Sequence, residues 1–238
     1  RLFQGSSCIT PRSRLVFENW GLVDYELACQ KQLQILERVA ARECDETVVF
    51  CSHPPIVTLG RATEHKDITT WAGSTIRSNR GGRATYHGPG QVVIYPILDL
   101  RRDDRQNFAA RDLHGYLRQL ELAIVQSLYP WKLEAVSKVA EQEKFGSSKI
   151  SLTGVWLDNQ KIASIGIAVK KWVTYHGAAI NLEREPESFE GIHPCGFRKE
   201  TIGYLNEKTS QKIDRSDLLS SLTTALLERL EACETEKC

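Results

Sequence analysis

Between residues 80 and 91 the chain runs Arg80-Gly81-Gly82-Arg83-Ala84-Thr85-Tyr86-His87-Gly88-Pro89-Gly90-Gln91. Four glycines and a proline bar a helix over this stretch. Glycine lets the backbone come within contact distance of a ligand and offer it N–H groups. Arginine, tyrosine and histidine set among the glycines add charge and hydrogen-bonding groups. The apolar run Val92-Val93-Ile94-Tyr95 follows at once, so the loop is expected to enter a buried strand.

The chain has 238 residues, 41% of them apolar and 26% charged, which places it in the soluble globular class. A chain of this length buries roughly 70–75% of its unfolded surface and needs no staples. A single domain is expected over residues 15–232, with a tail over 233–238. The formal net charge of +1 speaks against nucleic acid as the main ligand. No apolar run approaches the roughly 20 residues that cross a membrane. Seven cysteines at irregular spacings, with no secretory apolar segment, predict free thiols in a reducing compartment such as the cytoplasm. Residues 1–14 hold Arg1, Arg12 and Arg14 and no acid, and the chain has no methionine. The start of the natural chain is expected to lie upstream. This segment reads as a flexible arm or as the end of an organelle transit peptide, mitochondrial or plastid.

The periodicity predicts a first strand at Leu15–Phe17 and a helix from Asp24, its N-cap, to Arg42. Tyr25, Cys29, Leu33, Leu36 and Val39 would form its inward face. Thr47–Cys51 and Ile56–Leu59 read as strands separated by Pro54-Pro55. Phe108–Leu128 reads as a second helix, with His114 near its apolar stripe. Leu152–Leu157 and Lys161–Val169 flank the turn Asp158-Asn159-Gln160 as a hairpin. Trp172–Tyr175 and Ala178–Leu182 would extend the sheet. Pro186–Ile192 is expected to be a short helix, Glu134–Ser148 a mobile polar surface segment, and Asp217–Glu231 a closing helix with Leu218, Leu219, Leu222, Leu226 and Leu230 inward.

Cys195 sits between Pro194 and Gly196, in a rigid turn and not inside a helix or strand. A thiol so placed reaches a cleft as readily as a core. A nearby cation raises its thiolate fraction. Lys161 opens an apolar strand whose next residues, Ala163, Ser164 and Gly166, are small, as a strand facing a bound chain requires. A desolvated lysine serves as a base, and its charged form stabilises a thiolate. Tyr175-His176-Gly177-Ala178-Ala179 is a second histidine–glycine element, and His53 precedes Pro54. Each histidine alone also suits a hydrogen-bonded core position. Cys51 with His53 and His193 with Cys195 contain metal-ligand types, but structural zinc sites space each pair more widely. No metal and no cofactor are expected.

Taken together, His53-Pro54, Thr58-Leu59-Gly60-Arg61, the Arg80–Gln91 loop, Gly154-Val155-Trp156, Lys161–Gly166, Thr174-x-His176-Gly177-x-Ala179-x-Asn181 and Pro194-Cys195-Gly196 resemble, in this order, the lipoyl(octanoyl) transferases. These enzymes share their fold with biotin and lipoate ligases. The resemblance spans roughly residues 15–203. It implies a mixed α/β fold, with a main sheet flanked by helices beside a smaller sheet. It implies transfer of an octanoyl group from acyl carrier protein to a lysine of lipoyl domains in 2-oxoacid dehydrogenase complexes or the glycine-cleavage H protein. By the same resemblance Cys195 is the nucleophile that carries an acyl thioester and Lys161 lowers its pKa. Arg80, Gly81, Gly82, Arg83, Ala84, Thr85, Tyr86 and His87 match one acyl-binding stretch. Ser164, Ile165 and Gly166 match a second, and Gly177, Ala178 and Ala179 a third. Two departures stand out: Ser52 where glutamate often precedes His-Pro, and His193 where asparagine is common before Pro-Cys. Two alternatives remain at this level: an ATP-dependent ligase on the same fold, and a non-catalytic scaffold that holds carrier domains.

Overall fold

In the computed structural model the described residues are 15–138, 142–145 and 148–232. The expected N-terminal arm and C-terminal tail lie outside them. The strands in chain order are β1 (Leu15–Leu22), β2 (Glu46–Ser52), β3 (Ile56–Leu59), β4 (Thr75–Arg77), β5 (Ala84–His87), β6 (Gln91–Ile97), β7 (Val136–Ser137), β8 (Gln142–Phe145), β9 (Ser148–Ser151), β10 (Gly154–Leu157), β11 (Gln160–Lys170) and β12 (Val173–Asn181). The α-helices among the described residues are α1 (Tyr25–Ala40), α2 (Leu113–Ser127) and α3 (Arg215–Leu230). None is long and apolar enough to cross a membrane.

A seven-stranded sheet runs β1-β2-β6-β12-β11-β10-β7, and a three-stranded one runs β4-β3-β5. Both are mixed. β1 and β2 are parallel, as are β3 and β4, and the other pairs are antiparallel. The mixed α/β class with a second, smaller sheet is therefore borne out. Continuous apolar runs make the central strands because both faces are covered. Side chains alternate, so Val48, Phe50, Val92 and Ile94 enter the core beneath α2 and α3. Val49, Cys51, Val93, Tyr95 and Ile97 enter the core beneath α1.

Several elements depart from the sequence reading, each for a local reason. Helix α1 ends at Ala40, and its buried face is Tyr25, Ala28, Gln32, Leu36 and Val39, while Leu33 is exposed. The face is turned toward Gln32, whose Oε1 accepts the His176 amide at 2.7 Å. Helix α2 begins at Leu113 and not at Phe108. Arg111 adopts φ 60°, its amide is taken by Leu100 O, and Asp112 caps the helix by accepting from Gly115 N at 2.8 Å. Trp172–Tyr175 and Ala178–Leu182 are not two strands. One strand, β12, runs through both and passes His176 at φ 56°. Residues 186–192 form turns instead of a helix, with Phe189 at φ 62°. The carbonyl of Gly191 there accepts the amides of Thr69, Thr70 and Trp71. The polar segment 134–148 holds β7 and β8, and its last residue, Ser148, opens β9, the antiparallel partner of β8.

One buried ion pair anchors the end of β2. Arg105 Nη2 donates to Glu46 Oε1, and the two side chains are 1% and 3% exposed. The same oxygen accepts the Asp99 amide at 2.7 Å, and Arg105 also donates to Leu230 O at the end of α3. Removing one partner of such a pair leaves the other charge buried and uncompensated. Arg105→Ala is therefore expected to cost about 3–5 kcal/mol. Urea unfolding should show this as a lower midpoint at unchanged slope. A loss below about 1 kcal/mol, the range of a surface pair, would contradict it.

Candidate functional site

Cys195 lies in a single 3₁₀ turn, Pro194–Gly196, at φ 55° and ψ 20°. Gly196 N donates to His193 O at 3.0 Å and Phe197 N to Pro194 O at 2.9 Å, so the backbone holds the thiol in a left-handed conformation. The sulfur is half-buried, 3.9 Å from Ser164 Oγ on β11. It stands at a narrow cleft between the small sheet and the α1 face of the large one.

Register assembles the cleft from distant segments. Ser164, Ile165 and Gly166 on β11 lie directly opposite Ala179, Ala178 and Gly177 on β12, and all six line the cleft. The glycine loop closes it from the other side. Along β5 the side chains alternate. Thr85 and His87 face the cleft, whereas Ala84 and Tyr86 enter the core of the small sheet with Val57, Phe189 and Tyr204. Arg80 and Gly82 also line the cleft. Gly81 does not; its amide donates to Ile167 O at 2.8 Å.

Arg80 is 6% exposed. Its Nη2 donates to Thr58 O and Oγ1, both at 2.7 Å, and its Nη1 to Gly81 O at 3.0 Å. Burial holds it below the ordinary arginine range. Arg83 lies outside the cleft, packed against the Cys195 turn. A Cβ on Gly196 would come within 2.9 Å of its Nη1. Asp67, fully buried, accepts from both Arg83 Nε and Nη2. Its backbone carbonyl takes the His193 amide at 2.8 Å. Asp67 thus braces the Cys195 turn, and no pattern in the sequence had marked it.

Two tyrosines were also missed, because each occupies a position that reads as core. Tyr25, the first residue of α1, and Tyr95 on β6 both line the cleft. Tyr25 stacks on His87 at 5.8 Å and on His176 at 6.4 Å. Burial pushes both phenols up from their ordinary pKa. His53 holds its proton on Nδ1, because its 2.7 Å partner there, Val23 O, only accepts. Its Nε2 then accepts from Tyr95 Oη at 2.7 Å. Cys51 Sγ is 3.7 Å from the same nitrogen, so both nitrogens of His53 are engaged. Among the described residues no three such side chains converge to hold a metal. His87 Nδ1 meets Gln91 Oε1 at 3.1 Å. Gln91 donates in turn to Asn181 Oδ1 at 2.9 Å, and Asn181 donates to Lys161 O at 3.4 Å.

Lys161 is 2% exposed and sits beside the cleft without lining it. Its Nζ lies 5.6 Å from the centre of the Phe197 ring, two residues beyond Cys195, and 5.7 Å from that of Trp156. Gly154 makes room for it: a Cβ there would come within 2.5 Å of Lys161 Cε. No hydrogen bond joins Lys161 to Cys195.

Burial holds His53, His87 and His176 below the ordinary histidine pKa, His176 at about 4, with Arg80 adding to the effect on His87 and His176. The folded state therefore binds fewer protons than the unfolded chain. The stability these neutral rings contribute is complete above about pH 6.5 and is lost as the pH falls toward 4. For His176 alone the loss is on the order of 3 kcal/mol. Urea midpoints from about pH 7 to pH 4.5 should fall steeply in the native protein and less steeply in His176→Asn. Equal slopes would contradict the assignment.

Comparison with known proteins places residues 24–227 on the lipoyl protein ligase A/B catalytic domain. The chain is 42% identical over 217 residues to an octanoyltransferase of Bdellovibrio bacteriovorus, covering 91% of this chain and 99% of that one. It is 35% identical over 225 residues to an octanoyltransferase of Geobacter metallireducens, covering 93% and 98%. Among solved structures, a putative lipoate protein ligase from T. acidophilum with bound lipoic acid superposes with a TM-score of 0.62 at 16% identity. That match covers 92% of this chain and 86% of the other and speaks to the fold.

Proposed function

The chain belongs to the lipoyl protein ligase A/B catalytic family and is an acyltransferase, and we propose that it moves an octanoyl group from an acyl carrier protein, through a thioester on Cys195, to a lysine of a lipoyl-domain protein. The observation that carries this reading is the half-buried thiol of Cys195, held by a rigid turn where the small-residue walls of β11 and β12 meet.

In the first half-reaction the Cys195 thiolate attacks the donor's thioester carbonyl. A C–Sγ bond forms, the bond to the carrier sulfur breaks, and the carrier thiol leaves with a proton from Lys161. One thioester replaces another of similar energy, so no nucleotide is consumed. In the second half the acceptor amine attacks the acyl-cysteine. The new C–N bond forms as C–Sγ breaks, and Lys161, now neutral, takes the proton that nitrogen sheds. This restores the ammonium and the thiolate. The free acceptor amine has a pKa of about 10.4, so it enters as the small neutral fraction present near neutral pH, its ammonium proton already given to solvent. Backbone N–H groups of the loop and the Cys195 turn are the candidate donors to each oxyanion.

The acyl chain is taken by the trough along Ile165, Gly166, Gly177 and Ala178. Each buried methylene adds about 0.8 kcal/mol, so an octanoyl tail gains several kcal/mol there.

Intact-mass measurement after mixing with octanoyl carrier protein should show one octanoyl group on the native protein and none on Cys195→Ser. Hydroxylamine should remove it, and acceptor labelling should proceed without ATP. Labelling that stops on ATP removal would favour a ligase. Labelling that survives Cys195→Ala would remove the thioester step.

A further inference from the structure

The ammonium of Lys161 is almost fully buried, yet no carboxylate and no hydrogen-bond acceptor pairs with it among the described residues. A buried charge without a partner is costly unless something else receives it. Two rings face it, and one of them, Trp156, also takes the Lys138 ammonium, 4.7 Å from its centre. Trp156 lies directly across the β10–β11 ladder from Lys161, at a register shift, and Phe197 meets Trp156 edge to face, 5.5 Å between centres. The cation is within 6 Å of both rings, the range in which the ring quadrupole attracts it. Trp156 is itself fixed, since its Nε1 donates to Leu152 O at 2.7 Å.

We propose that Trp156 and Phe197 are positioning residues, an aromatic cage that holds the Lys161 ammonium toward the Cys195 turn. A carboxylate in their place would hold the ammonium too, but would cancel the charge a thiolate needs. Aromatic faces attract the cation and leave its charge available. Phe197 also belongs to the turn that sets Cys195, through the hydrogen bond its amide donates to Pro194 O. One ring therefore fixes lysine and nucleophile relative to each other. Gly154 completes the arrangement by leaving space for the lysine stem.

The proposal rests on the Cys195–Lys161 reading above, and its test separates the two. The rate of Cys195 alkylation by iodoacetamide, followed by peptide mass against pH, reports the thiolate directly. Trp156→Leu and Phe197→Leu should move the midpoint up by about one pH unit, a tenfold slower reaction near neutrality. Trp156→Phe, which keeps an aromatic face, should restore most of the shift. In a Lys161→Ala background, Trp156→Leu should add nothing further, which a merely structural role would not predict. If Trp156→Leu fails to fold, as judged by circular dichroism, Phe197→Leu carries the measurement. A midpoint moved by Lys161→Ala and unmoved by either leucine variant overturns the cage and leaves the dyad standing. A midpoint unmoved by Lys161→Ala overturns both.

Discussion

A backbone hydrogen bond seats the glycine loop, just ahead of β5, on the large sheet: Gly81 N donates to Ile167 O, at 2.8 Å. The bond requires β11 to present bare backbone, and Gly166 does so. Any Cβ there would stand 2.8 Å from Gly81 O, a distance real Cβ atoms avoid. Once the loop is seated, the rest of the site follows from strand geometry. β5 starts three residues on, and its alternation sends Thr85 and His87 into the cleft and Ala84 and Tyr86 into the small core. Arg80 is buried by the same contact, and its guanidinium is satisfied by Thr58 on β3.

The charges around the cleft are unevenly matched. Arg83 is paired with the buried Asp67. Arg80 and Lys161 are buried without a carboxylate among the described residues. The three histidines beside them are held neutral by burial. The site therefore carries a positive surplus in a low-dielectric setting, where an anion gains most. Acyl exchange supplies such anions in turn, first a thiolate and then two oxyanions. An ionised carboxylate in the cleft would compete for that surplus, and none lines it.

Much of this was legible in the chain and some was not, for identifiable reasons. Cys195 stood out because Pro194 and Gly196 exclude helix and strand, and the loop glycines by their density, although of the four only Gly82 lines the cleft and Gly88 and Gly90 are called for by close packing against residues 183–185. The large sheet was readable from its apolar runs. Tyr25, Tyr95 and Asp67 were not, because an inward tyrosine looks the same whether it meets a core or a cleft, and a lone aspartate between Lys66 and Ile68 carries no pattern. The false start of α2 has the same root. Phe108 is buried and in phase with the later leucines, but Arg111 reverses the backbone before Asp112 caps the helix. The partner of Lys161 was also out of reach, since Phe197 is 36 residues away (197 − 161) and joins it only through the fold.

Register turns two separate small-residue runs into one surface, and this bears on how the cleft would choose its acyl group. Gly166 lies opposite Gly177, and Ile165 opposite Ala178. Along that strip the wall is largely backbone and methyl groups, with few side chains able to rotate aside. Its width is set by hydrogen-bonded strands, and a packed interior resists being pushed open. At Tyr25, Tyr95 and His176 the wall changes to rings locked by stacking and hydrogen bonds. His53 holds Tyr95 from behind, with its own Nδ1 tied to Val23 O just before α1. Moving that wall would disturb α1 and β6 together, so the space offered to a ligand is a property of the fold itself and not of one adjustable side chain.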